Sequence, residues 1–283
     1  MKKRLGIILA AGVGLSLGVS NSALAQVNSV EGKNNVVENK LESNSLQGVN
    51  STNNSTPEKI KNTLIEMGFT NTEIATMQDT LKVEIVKNGG KKVSLTSLKD
   101  SINSQKNSVQ YAVKEPEAVM ENGLNFTLFA LYEGTEGSNH MYRIYASGYW
   151  LKIPYLKTND TIGIVWGDNV TAVNNSDKAR QSWFTPDEFE EYLTADRSSK
   201  YGTQWKVPFK EGATMNGAYT SQKVAVPTSL TGKEVVFGSG FSHPWLKQQQ
   251  TIPFKFGPGS IDFNGVKGYN YNLKYGVTVG SPN

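Results

Sequence analysis

From Tyr111 to Asn283 the apolar residues recur with a period of two. In "YNLKYGVTV", Tyr271, Leu273, Tyr275, Val277 and Val279 alternate with Asn272, Lys274, Gly276 and Thr278. One face is apolar and the other polar, which is the pattern of a half-buried strand. "MYRIYASGYW" puts Tyr142, Ile144, Ala146 and Trp150 on one side, and "TIGIVW" does the same with Ile162, Ile164 and Trp166. "GTQWKVPF" adds Trp205, Val207 and Phe209, with Pro208 marking a strand edge or end. "LNFTLFALY" alternates less cleanly, because Phe129 and Leu131 occupy its second face; a strand apolar on both sides belongs between layers. Gly/Asn/Asp/Pro clusters such as "EGTEGSN", "KTND" and "GPGS" separate the runs. The expected fold class is mainly β: an antiparallel β-sandwich, or a barrel-like relative of one, over residues 111–283. One helix is expected to interrupt it at "WFTPDEFEEYL", where Thr185 can cap, Pro186 takes the first position and Glu188 stands in capping-box register ahead of Phe189 and Leu193.

Upstream the period is helical. Thr56 is a candidate N-cap with Pro57 at the first position, and Ile60, Leu64 and Met67 share a face before Gly68. Thr70 and Glu73 have capping-box spacing ahead of Ile74 and Met77. Leu81, Ile85 and Val86 make a third stripe that Asn88-Gly89-Gly90 ends. Residues 56–90 therefore read as three short helices, followed by a linker over 91–110. With "MGF" at the first turn, the segment resembles the ubiquitin-associated type of three-helix module. The resemblance spans about 35 residues and implies a shape only; the bottom-up reading is a helical spacer or docking hairpin.

Composition sharpens the boundaries. Of the 28 aromatic residues, only Phe69 precedes Tyr111, so the large apolar side chains that a core needs lie in the second part. Residues 26–55 are Asn/Ser-rich and without periodicity, which predicts a disordered linker. Residues 1–25 fit a signal peptide: Lys2, Lys3 and Arg4, then an apolar stretch, then Ala23-Leu24-Ala25 before the expected cut. The mature chain is thus expected to be secreted and extracellular, with no stable membrane anchor. The formal charge of +4 includes those three basic residues, and what remains is nearly balanced. That balance gives no general attraction to nucleic acid or to an anionic membrane. The absence of cysteine excludes disulfides and thiolate chemistry.

Candidate chemistry is sparse. Gly238-Ser239-Gly240 lacks the preceding glycine of a nucleophile elbow, since Phe237 stands there. His243, one of two histidines, precedes Pro244 and Trp245 among turn formers, and reads as part of an exposed connection between strands. The carboxylates Asp187, Glu188, Glu190 and Glu191 are explained by the dipole of the expected helix. Asp168, Asn169, Asn174, Asn175 and Asp177 offer oxygen ligands for calcium but lack the spacing of a calcium loop. No cofactor or metal motif is present, so none is expected. Trp183 and Trp245 lie outside clean strands, and a loop tryptophan can stack on a sugar or anchor a protein. The reading is a non-enzymatic binding protein contacting an extracellular ligand, a glycan or protein, through His243, Trp245 and Trp183. The alternative is a secreted glycan-acting hydrolase using paired carboxylates, among them Asp187 or Glu188. A pore-forming protein is a third reading, disfavoured by glycine and aromatic punctuation in the alternating runs.

Overall fold

The alternating runs pair into two packed antiparallel sheets in a computed structural model that describes residues 56–97, 123–280 and 282. The expected signal peptide, the linker 26–55, most of the linker 91–110 and residues 111–122 lie outside the described residues. In chain order the elements are helices α1 (Pro57–Glu66), α2 (Asn71–Thr76) and α3 (Asp79–Asn88), then strands β1 (Lys91–Ser97), β2 (Leu124–Glu136), β3 (Asn139–Trp150) and β4 (Asp160–Trp166). There follow β5 (Thr171–Ala172), β6 (Lys178–Thr185), β7 (Asp187–Tyr192), β8 (Ala195–Asp196), β9 (Gly202–Val207) and β10 (Met215–Pro227). The last four are β11 (Glu234–Pro244), β12 (Lys255–Gly257), β13 (Ser260–Asp262) and β14 (Gly268–Thr278). The larger sheet runs β1-β2-β3-β10-β6-β7, with β5 beside β10; the smaller runs β14-β11-β4-β9-β8. The expected fold class is the one observed. No helix among the described residues is long and apolar enough to cross a membrane.

The sandwich core forms where the inward stripes meet. Tyr142, Ile144, Ala146 and Trp150 of β3 pack with Ile162, Ile164 and Trp166 of β4, Trp205 of β9 and Phe237 and Phe241 of β11. Trp150, Trp166 and Trp205 are buried, as their place on apolar faces predicts.

The second face of β2 and β3 is also covered. Phe129, Leu131 and Tyr145, with Tyr219 of β10, pack against Leu64, Ile74, Leu81 and Ile85 of the helices and Met67 and Phe69 of the turn between α1 and α2. Phe69 meets Phe129 edge-on at 5.6 Å between ring centres. The helices thus form an outer layer of one core with the sheet. Their caps are those the sequence predicts: Thr56 accepts from Lys59 N, and Thr70 and Glu73 exchange hydrogen bonds in a capping box. Polar ties fix the layer at its margin. Lys92 pairs with Glu73 at 2.7 Å and Lys178 with Glu84 at 2.8 Å. Burial raises the Glu84 pKa, but hydrogen bonds from Lys178 and Asn88 outweigh it and hold the carboxyl below its ordinary value.

On the opposite side, the β12–β13 hairpin lies over β4, β9 and β11. It packs Phe254, Phe256 and Phe263 against surfaces left open by Gly163, Gly202 and Gly240. A Cβ on Gly202 would collide with the Phe256 ring, and one on Gly240 would meet Ile261 at 3.0 Å. Glycine inside these strands serves close approach, not turning.

Two expectations are corrected. Residues 91–97 are not linker but the edge strand β1, paired with β2 through a register shift between Lys92 and Ser94. That bulge lets Val93 pack on the sandwich core and Leu95 on the helical layer, although both are odd-numbered. The segment expected as a helix from Thr185 is instead the strand β7, paired antiparallel with β6. Its apolar residue Phe189 stacks on Trp183 at 5.7 Å, and Arg180 bonds Glu190 and Tyr192 across the pair. A ladder open on β6 outweighs the cap signals of a six-residue segment, and its acidic residues blunt the sheet edge.

Candidate functional site

Antiparallel pairing brings one set of strand ends together. In the larger sheet Leu124 and Asn216 flank Trp150, and Asn216 flanks Trp183. In the smaller sheet Asp160 faces Val207, Thr161 faces Ser242, and Pro244 faces Gly268. The connection from β3 to β4 (residues 151–159), the one from β9 to β10 and the one leaving β11 therefore emerge at this end. They touch one another. Thr158 Oγ1 donates to Pro244 O at 2.5 Å, and Phe209 N donates to Asn159 Oδ1 at 2.9 Å. Lys157 lies over the Phe209 ring, and Lys210 lies 4.3 Å from the centre of the Trp183 ring.

Beneath these connections sits a buried acid–base pair. His243 Nδ1 lies 2.6 Å from Asp160 Oδ1, and Trp150 Nε1 donates to Asp160 Oδ2 at 2.7 Å. Trp150 meets the imidazole edge-on, and Tyr269 stacks on it. Both side chains are sealed from solvent, at 1% and 3% exposure. Burial raises the Asp160 pKa above its ordinary value, and the hydrogen bond and charge of His243 only partly oppose this. His243 is therefore not in an exposed connection. It extends the inward stripe Val235, Phe237, Phe241 of β11 by one more step of two, as Asp160 extends the stripe Ile162, Ile164, Trp166 of β4. Asp160 is the partner that motif reading missed, and its period-two place was the signal that could have found it.

This pair is two-thirds of a nucleophilic triad, and the third member would be a hydroxyl at His243 Nε2. Among the described residues Nε2 has no hydrogen-bond partner. Ser242 Oγ is engaged with Asn270 Oδ1, and Ser239 Oγ is buried and donates to Gly163 O. Of the carboxylates considered for glycan cleavage, Asp187 and Glu188 leave β7 by opposite faces, Glu190 is paired with Arg180 and Glu191 with Lys210. The oxygen-rich turn is explained by backbone shape. Asn169 and Asn175 take positive φ of 62° and 56°, and Asp177 accepts from Arg197 Nε and Nη2, each at 2.7 Å.

This end exposes large apolar side chains. Trp245 is 49% exposed, its ring edge-on to Tyr269, and Leu246 follows it. From the neighbouring connection Leu151 is 65% and Tyr155 96% exposed, with Leu156 beside them. Trp183 is half-buried at the sheet edge of the same end, between Phe189 and Lys210. The three residues singled out from sequence thus share one end of the sandwich in unequal roles: His243 braces, Trp183 flanks and Trp245 projects.

No protein-family model matches the chain, and no curated protein matches it. Among solved structures it aligns with the collagen-binding subdomain of the Enterococcus faecalis surface protein ACE (7% identity over 51% of this chain and 90% of that one, TM-score 0.31). It aligns also with the collagen-binding domain of a Staphylococcus aureus adhesin (12%, 47% and 86%, TM-score 0.27). A third is the Clostridium perfringens NetB toxin in its membrane-inserted form (6%, 54% and 89%, TM-score 0.28). At these TM-scores the likenesses assign no function.

Proposed function

We propose that this chain is a secreted, non-enzymatic binding protein that meets its extracellular partner with the loop end of its β-sandwich. One observation carries the reading: two connections tied together through Thr158 and Pro244 hold Leu151, Tyr155, Leu156, Trp245 and Leu246 out into solvent. Large apolar side chains clustered on otherwise polar connections mark contact surfaces. The acid–base pair below them supports the fold of that end in this reading, buried and tied to Trp150 of the core, with no hydrogen-bond partner at His243 Nε2 among the described residues. The three helices, in this reading, serve as the covering layer of the larger sheet and not as a second recognition module. The test compares the chain lacking residues 1–25 with its Tyr155→Ser, Trp245→Ser double variant. Both are applied to immobilised glycans, cell-wall fractions, collagen and phospholipid vesicles, with turnover followed in the same wells. The variant is expected to lose about tenfold or more in affinity for whichever probe the parent retains, with its thermal midpoint unchanged. Parent-level binding by the variant overturns the reading. So does hydrolysis that His243→Gln abolishes in a folded protein.

A further inference from the structure

The exposed end is built from a repeated triplet. An aromatic residue, leucine and lysine occur in succession three times: Trp150-Leu151-Lys152, Tyr155-Leu156-Lys157 and Trp245-Leu246-Lys247. All three lie at the same end, two in the β3–β4 connection and one where β11 ends. The first aromatic is spent on the core, where Trp150 holds Asp160, and the other two project. Residues 151–159 and 245–255 contain four lysines and no acidic residue. The acid at the base of the first connection, Asp160, is buried against His243 and shows no charge to solvent. These two connections are therefore locally basic and locally apolar at once, while acidic groups at the same end stand apart from them, Glu211 in the β9–β10 connection and Asp187 and Glu188 at the β6–β7 turn.

We propose that the β3–β4 connection and the segment leaving β11 form a membrane-interface face, which seats peripherally on an anionic phospholipid surface. The proposal rests on the binding reading above and names its partner. The chemistry of the triplet matches the layers of a bilayer boundary. Tyrosine and tryptophan rings settle at headgroup depth, leucines reach the upper acyl region, and lysine stems follow the apolar surface while their ammonium groups meet lipid phosphates. The alternatives fit less well. A second copy of the chain would bring the same lysines against these ones. A sugar ring needs a flat aromatic platform with amides or carboxylates around it, whereas leucine and lysine flank these rings. Attachment of this kind lies on the membrane and does not span it, so it needs no transmembrane helix.

The experiment is co-sedimentation of the chain lacking residues 1–25 with vesicles of phosphatidylcholine alone and with added phosphatidylserine. Tryptophan emission is followed with lipids brominated near the headgroup. The proposal expects binding that phosphatidylserine strengthens and salt weakens, with bromine quenching that disappears in Trp245→Phe while binding persists. Leu151→Ser with Tyr155→Ser and Leu246→Ser should lower partitioning about tenfold or more without moving the thermal midpoint, since all three side chains are exposed. Absence of binding to either vesicle overturns the lipid assignment. So does binding that survives the triple substitution. If vesicles are ignored while Tyr155→Ser, Trp245→Ser still costs binding to another probe, the lipid assignment falls and the binding reading stands. If those substitutions change nothing on any probe, both fall.

Discussion

Asp160 and His243 cost the fold something and return order. Burial keeps the Asp160 carboxyl above its ordinary value of 3.8, even with His243 and Trp150 as hydrogen-bond partners. A group whose pKa is higher in the folded than in the unfolded chain stabilises most fully below 3.8, and it loses that contribution as pH climbs through the folded value. His243→Ala removes the group that most opposes burial, so it lifts the folded value further and leaves the buried carboxyl with Trp150 as its hydrogen-bond partner and no charge partner at neutral pH. The expected loss is about 3–5 kcal/mol near pH 7 and smaller towards roughly pH 4, read as denaturant midpoints across pH. Adding Asp160→Asn should recover part of it. A cost below about 0.5 kcal/mol, as for a surface change, would place the pair outside the core. "GSGFSHPW" reads as a connection because it mixes glycine, serine and proline, yet Gly238 and Gly240 are strand residues pressed by Val165 and Ile261. Composition signalled a turn, and the period-two spacing of Phe237, Phe241 and His243 signalled a strand. The second signal was the physical one, because it follows from what must be buried. Only after Pro244, at Trp245, does the chain leave the sheet.

At the scale of elements, legibility followed the range of the interactions involved. The three helices were legible because their caps and stripes are local: Thr56, Thr70 and Glu73 bond within their own first turns. Strand β2 was legible as two-faced, since Phe129 and Leu131 break its alternation. What covers that second face was not legible, because nothing local in residues 56–90 says that Leu64 or Ile85 meets Tyr145. For the same reason β1 passes for linker, since its partner lies beyond residues 98–122 in sequence. The sandwich domain is accordingly expected not to be self-sufficient from residue 111. A chain starting there would lack β1 and expose Phe129, Leu131, Tyr145 and Tyr219, each buried against the helices or β1 in the full structure. Large apolar surface of that kind drives association. Residues 111–283 alone should aggregate or lose their cooperative thermal transition, whereas residues 56–283 should keep it, checked by size-exclusion chromatography and circular dichroism. A monomeric, cooperatively melting 111–283 fragment would show that the helices are an accessory.

For the whole molecule, the two ends of the sandwich are put to different uses. At the far end polar groups are satisfied within the protein: His140 Nε2 lies 2.8 Å from Thr231 Oγ1, and Tyr142 Oη donates to Gly280 O while accepting from Gly280 N. At the loop end large apolar groups are left in water, although the strands beneath are among the best-covered parts of the chain. Such a division gives a rigid platform with a separable contact surface, because residues that touch only solvent can change without disturbing the core. Hydrogen exchange measures that separation directly. Amides of β3, β4, β10 and β11, enclosed by both sheets, should exchange slowest, and those of residues 151–159 and 245–250 fastest. Added anionic vesicles should slow exchange in these two connections alone, leaving β3, β4, β10 and β11 at their original rates. Protection that spreads through the strands would mean that binding reorganises the sandwich itself, and the loop end would then be a trigger for conformational change in place of a static contact face.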